Sequence, residues 1–366
     1  MIDESTDVPI QKLLCITISY VCDSEGVQYA FLGLFPVLET NAQSLYETLE
    51  RELKGFGLNI EDCIGFASDG ASVMVGNKNS VWTRIKEKAP NCIQLKCICH
   101  SLALCIQHAF NKLPSNLGFL LKEIPNWFSH SDLRRQDFIQ LFETMNTEHD
   151  SEQVITQPKP FLKVSTTRWL VRRKLLYNLL LNWEELILYF TSAEIHAQQD
   201  CKFKARLLKE MLLDPVNKLL FHFAIPVVQE FERVVNSLFQ SSKMDPLVLN
   251  KELFLLHSSL TARIFHDDGS KKELRSCDYG CKFEMELQKY MHNVKEDKQA
   301  AEIRINDTVF RCHSMLEEAF VQVEKRLPPS MEVFKGLGAL NPQKVLSQVE
   351  KACFKDLPSK FLMDDN

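Results

Sequence analysis

The chain has 366 residues, 45% of them apolar and 25% charged, with a formal net charge of −5. That length supports two or three domains around a sizeable core, and the composition excludes a disordered or fibrous chain. The acidic balance argues against a protein that wraps nucleic acid over its whole surface, because phosphate binding is driven by positive charge.

The first structured segment is Leu13 to Cys22, where apolar and polar residues alternate as in a half-buried strand. Asp23-Ser24-Glu25-Gly26 is a turn, and Val27 to Val37 returns as the second arm of an antiparallel hairpin. Asn41 caps a helix that runs to about Lys54, with Leu45, Leu49 and Leu53 on one face, and Gly55 and Gly57 end it. Cys63 to Ala67 is a short apolar run fit for a buried strand, closed by Asp69-Gly70. A helix over Ser80–Lys88, a strand over Cys92–Cys97 and an apolar helix over His100–Asn111 follow.

With a short strand ahead of Leu13, the order is three strands, helix, strand, helix, strand, helix. That is the order of the ribonuclease H-like fold, in which the first and fourth strands are neighbours. Asp3 would end the first strand and Asp69 would follow the fourth, setting two carboxylates side by side.

Beyond about Leu117 helical periodicity takes over. Helices are predicted near 117–128, 133–146, 169–192, 203–212, 216–241, 247–266, 281–292 and 301–327, with a last one near 342–353. The breaks fall at 148–160, Asp214-Pro215, Asp267-Asp268-Gly269-Ser270 and Asp278-Tyr279-Gly280. No apolar run approaches the ~20 residues that span a bilayer. The segment after Met1 is acidic, unlike a signal peptide. Twelve scattered cysteines, several inside apolar strand patterns, predict reduced thiols in an intracellular compartment.

Four short segments carry the chemistry: Asp3-Glu4-Ser5-Thr6-Asp7, Ser68-Asp69-Gly70-Ala71-Ser72, Cys97-Ile98-Cys99-His100 and Thr167-Arg168-Trp169. Two carboxylates held close repel, and a divalent cation with hard oxygen preference relieves that repulsion. Two such ions clamp the attacking and leaving oxygens of a phosphodiester displacement. The bland reading of Asp69 is turn chemistry before a glycine. Cys92, Cys97, Cys99, His100, Cys105 and His108 fall in one window and raise a zinc reading. Zinc takes its ligands as separated pairs in tetrahedral array, and these lie along one strand and one helix, which favours buried thiols. No acid occurs from Gln153 to Trp183, while Lys159, Lys163, Arg168, Arg172, Arg173 and Lys174 are basic. This window reads equally as a phosphate-contacting surface or as a solvated helix face.

In this order the four segments resemble those of DNA transposases of the hAT superfamily, and most of all its host-gene-like branch associated with BED- or MYM-type zinc fingers. The resemblance implies a ribonuclease H-like domain (mixed sheet with flanking helices) over 1–130. A helical insertion domain over 131–330 and a truncated return to the first domain over 331–366 would follow. It implies that Asp3 and Asp69 are the first two metal-binding acids, for Mg²⁺ or Mn²⁺, and that Cys97 and His100 lie near them. Trp169 matches a tryptophan that stacks on a flipped base, an interaction worth ~1–3 kcal/mol. Its bland reading is a core tryptophan.

The departures from that pattern bear on activity. The family's third acid has no counterpart in a matching context, Glu332 and Glu350 being the nearest. Most of the first strand, an upstream zinc finger and the C-terminal dimerisation segment are expected to be missing, as for a chain truncated at both ends. The leading expectation is a nuclear, domesticated, transposase-derived protein with a degenerate site that holds metal weakly or not at all. It would retain binding to DNA or protein, with no membrane association and an undetermined oligomeric state. The alternatives are an active metal-dependent transposase or nuclease, should a third acid be supplied; a helical protein-interaction module using faces such as 247–260; and a relic copy with no selected function.

Overall fold

A computed structural model of the protein describes residues 1–6, 12–146, 158, 161, 171–197, 199–239, 246–293 and 298–327. The predicted helix near 342–353, Glu332 and Glu350 lie outside these residues. The described chain divides into two compact units, one built from Met1–Leu102 and the other from Ala103–Arg326. Leu327, the last described residue, groups with the first.

In the first unit, β1 (Ile2–Thr6), β2 (Lys12–Cys22) and β3 (Gly26–Pro36) form an antiparallel sheet in the order β1-β2-β3. β1 is short, yet it pairs along its whole length, Ile2 opposite Ile16 and Thr6 opposite Lys12. Period-two alternation sends Ile2, Leu14 and Ile16 inward, where all three are buried. They meet α1 (Ala42–Gly55), whose Leu45, Tyr46 and Leu49 belong to the same core cluster. The Asn41 side chain accepts the Ser44 N–H at 2.8 Å, so the cap read from the sequence is formed.

After a 3-10 turn at Ile60–Asp62 come β4 (Gly65–Ser68), α2 (Ser72–Val75), α3 (Val81–Lys88), β5 (Ile93–Lys96) and α4 (Ile98–Phe110). Ser80 and Thr83 cap α3 reciprocally, each side chain bonded to the other's backbone N–H. β4 and β5 pair in parallel, Gly65 opposite Ile93 and Ser68 opposite Lys96. β4 also lies beside β1, with Cα atoms within 8 Å, as the expected strand order requires. The hydrogen-bonded ladder does not cross from β1 to β4, however, so the single mixed sheet that was expected is two short sheets.

Two surfaces follow from this arrangement. β2 runs past the start of β1, and there Met1, Ile16, Ile18, Leu49, Leu53 and Phe66 help to line an apolar cavity of about 290 Å³. The Met1 ammonium donates to the Thr17 carbonyl at 2.7 Å. On the outer face of the hairpin, Val21, Val27, Tyr29, Phe31 and Leu34 are all more than half exposed. The ladder shifts register between Ile16 and Thr17, where Leu32 is bypassed, and this keeps Phe31 and Leu34 on one face.

The second unit is helical: α5 (Ser115–Ser129), α6 (Asp132–Asn146), α7 (Val171–Leu181), α8 (Trp183–His196), α9 (Gln199–Leu213), α10 (Pro215–Phe239), α11 (Pro246–Ile264), α12 (Cys281–Asn293) and α13 (Lys298–Arg326). Trp127 donates to the Tyr189 hydroxyl at 3.2 Å within an aromatic cluster that includes Phe128, Phe138 and Phe190. Arg263 meets Glu230 at 2.6 Å with both side chains largely buried, an arrangement in which either partner alone would be a buried charge. The helix predicted over 169–192 is broken at Asn182, which is buried and donates its side-chain N–H to the Asn178 carbonyl at 2.7 Å. Among the described residues no single helix is long and apolar enough to cross a membrane.

Ile16→Ala should lower the stability of the first unit by about 2–4 kcal/mol, since the side chain is buried in that unit's core cluster and its loss leaves a cavity. Urea unfolding followed by circular dichroism checks this.

Candidate functional site

The parallel pairing of β4 and β5 brings two of the four motif segments together. Asp69 and Gly70 follow the carboxyl end of β4, and Cys97 follows the carboxyl end of β5. The Cys97 N–H donates to the Ser68 carbonyl at 2.8 Å, extending the ladder by one bond into the turn. Asp69 is half-buried, and its Oδ1 accepts the Ala71 N–H at 3.1 Å, which shapes the turn into α2. The ring of His100 packs over Gly70, with Cδ2 3.8 Å from the place a Cβ there would take. Carboxyl ends of parallel strands are where α/β folds gather their functional groups.

Cys97 stands one residue before α4, in the position of a capping side chain. Its carbonyl accepts both the N–H and the hydroxyl of Ser101, each at 3.0 Å. The Cys99 thiol and, after it, the backbone N–H groups of His100 and Cys99 favour a thiolate at Cys97. Together these hold the Cys97 thiol down, to about 6. The neighbouring Cys97 sulfur, joined by burial, pushes the Cys99 thiol up. The sequence places Cys99 only in the zinc window and gives it no role beside Cys97. The Cys-x-Cys spacing at a helix start was the available signal.

Asp3 sits in β1 opposite Cys15, on the face away from the buried Ile2, and is exposed. Among the described residues no three His, Cys, Asp or Glu side chains converge as a cation site. Asp3 and Asp69 are thus not joined by a third such group among the described residues. The zinc window is pulled apart by the fold. Cys92 and Cys97 flank the whole of β5, about 16 Å apart at ~3.3 Å per residue. Cys105 lies two turns further along α4, about 12 Å on, where burial pushes its thiol up to about 12.

Of the basic window, Lys159, Lys163, Arg168 and Trp169 lie outside the described residues, and so does the side chain of Arg172 in α7. Arg173 is taken up by an ion pair with the buried Glu232 of α10. Lys174 is exposed. In the 247–260 segment Leu249, Leu253, Leu256 and Leu260 are buried in the core of the second unit, while Val248, Phe254 and Leu255 are exposed.

Comparison with known proteins bears on this site. Residues 1–80 match the family model DUF4371, described as ZMYM1/FAM200, RNase-like domain. The match takes in β1 to β4 and the Asp69 turn. The chain is also similar to General transcription factor II-I repeat domain-containing protein 2 of Mus musculus, with 24% identity over 200 residues, 52% of this chain and 20% of the relative. The Bos taurus protein of the same name is 25% identical over 198 residues, again 52% of this chain and 20% of the relative. The chain thus spans about a fifth of the length of these curated relatives.

The Cys97 thiol should be half-alkylated by iodoacetamide near pH 6 rather than near the ordinary thiol value, as read by peptide mass mapping across pH. Cys99→Ala should raise that midpoint. A depressed thiol contributes stability above its unfolded value and loses it as pH falls through the folded one, so Cys97→Ala should flatten any rise in stability between about 6 and 9.

Proposed function

We propose that this chain is part of a transposase-derived protein of hAT type, acting in the nucleus as a binding module that does not cut DNA strands. The observation that carries this reading is the meeting of the Asp69-Gly70 turn with the Cys97-x-x-His100 cap, without a third ligand group among the described residues. The RNase-like family match over 1–80 supports the ancestry. The grouping of Leu327 with the first unit supports a helical domain inserted into a ribonuclease H-like one. In-line phosphodiester displacement needs both the attacking and the leaving oxygen stabilised. An exposed Asp3 and a turn-forming Asp69 fall short of that.

DNA is the partner that the ancestry favours, with the exposed Lys174 as a backbone contact and Arg168 and Trp169 as the base-proximal pair. The neutralisation of Arg173 by Glu232 makes that surface a weak one. A second reading, protein binding by the first unit, is favoured by the five apolar residues exposed together on the β2–β3 face, since contiguous apolar surface marks interaction sites.

The test is incubation of the full chain with supercoiled and linear duplex DNA in Mg²⁺ or Mn²⁺. No nicking is expected, with binding that weakens steeply as salt rises. Metal-dependent nicking that Asp69→Ala abolishes would overturn the non-cleaving assignment.

A further inference from the structure

At the amino ends of the same two parallel strands lies a second pair of thiols that the proposed function does not use. Cys63 precedes β4 and Cys92 precedes β5, and their sulfurs are 3.8 Å apart. The Ile93 N–H donates to the Ile64 carbonyl at 3.0 Å, so the two backbones are in ladder contact beside the cysteines. Strands about 4.8 Å apart hold flanking Cα atoms within the ~4.4–6.8 Å that a disulfide bridges. Closing the sulfurs to a bond of about 2.05 Å then takes side-chain rotation rather than movement of the sheet.

The two thiols are unlike. Cys92 is 2% exposed. Cys63 is half-buried and lines the apolar cavity beside Met1, Ile18 and Leu53. The Cys92 S–H points at the Cys63 sulfur, which favours a thiolate at Cys63 and a protonated thiol at Cys92. A reachable thiolate next to a protonated resolving thiol is the arrangement that peroxide-sensitive pairs require.

We propose that Cys63 and Cys92 form a reversible oxidation site at which a hydroperoxide converts the two thiols into a disulfide joining the heads of β4 and β5. The Cys63 thiolate attacks the peroxide oxygen, the O–O bond breaks, and an alcohol or water leaves as Cys63 becomes a sulfenic acid. The Cys92 sulfur then attacks the Cys63 sulfur. The S–O bond breaks and water departs, carrying the Cys92 proton. Two thiols are oxidised by two electrons and one peroxide is reduced. A dithiol reductant reverses the step. The bond would pin the strand whose other end carries Asp69.

The experiment treats the full chain with a few equivalents of hydrogen peroxide, blocks remaining thiols with iodoacetamide, and maps peptides without reduction. The expected result is loss of two thiols, a cross-linked peptide joining Cys63 to Cys92, a raised melting temperature, and full reversal by dithiothreitol. In Cys92→Ser, dimedone should label Cys63. In Cys63→Ser, Cys92 should stay reduced. Recovery of both residues as carbamidomethyl cysteine while other thiols oxidise would overturn the proposal. So would a cross-link from Cys63 to Cys15 in place of Cys92. The wild-type map decides the matter even if a variant fails to fold.

Discussion

The parallel ladder between β4 and β5 is the constraint on which the functional geometry of the first unit depends. Four residues from each strand suffice to set Ser68 against Lys96, and the next bond, from Cys97 N–H to Ser68 carbonyl, fixes where the turn and α4 begin. Everything singled out at the carboxyl end, Asp69, Gly70, Cys97 and His100, is placed by that register. A one-residue slip would turn Asp69 and Cys97 to opposite faces. The ladder is itself held by the packing of Phe66 and Cys92 into the cluster built on Leu14, Ile16, Leu45 and Ile85. Core packing and site geometry are therefore a single problem in this unit.

The two ends of the ladder carry different chemistry for a common reason. At each end one sulfur of a thiol pair is made more acidic and the other less so, by the 3.8 Å contact of Cys92 with Cys63 at the amino end and by the neighbouring Cys97 and Cys99 at the carboxyl end. At the carboxyl end Cys97 stands just before α4, where backbone N–H groups of His100 and Cys99 favour its thiolate. At the amino end no helix terminus is involved and the thiolate faces a cavity. The first pair sits at the start of a helix and the second beside a cavity.

Much of the fold was legible because local signals and the tertiary structure agree. Asn41 and Ser80 stand at helix starts with capping side chains, and both helices begin there. The alternation through Leu14 and Ile16 gave both the strand and its buried face. The helix break at Asn182 was hidden because asparagine fits a helical pattern, and its bond to the Asn178 carbonyl forms only in the buried setting. The leucines of 247–260 had the spacing of a binding face, but spacing does not say whether a partner is another chain or the same core. The split between β1 and β4 was hidden for a similar reason, since strand order can be read from topology and ladder closure cannot. Of the site, the approach of the His100 ring to Gly70 depends on the parallel register of β4 and β5, which residue spacing does not show. Nor does spacing show the thiol pairing of Cys97 with Cys99, since it depends on how α4 starts.

The proposed function expects Asp3 and Asp69 to hold a divalent cation weakly or not at all. A titration of the full chain with Mn²⁺, read by electron paramagnetic resonance and repeated with Asp69→Asn, tests it most directly. The account predicts weak binding that does not saturate below the millimolar range and is the same in both proteins. Saturable micromolar binding, lost on substitution of Asp69, would contradict it.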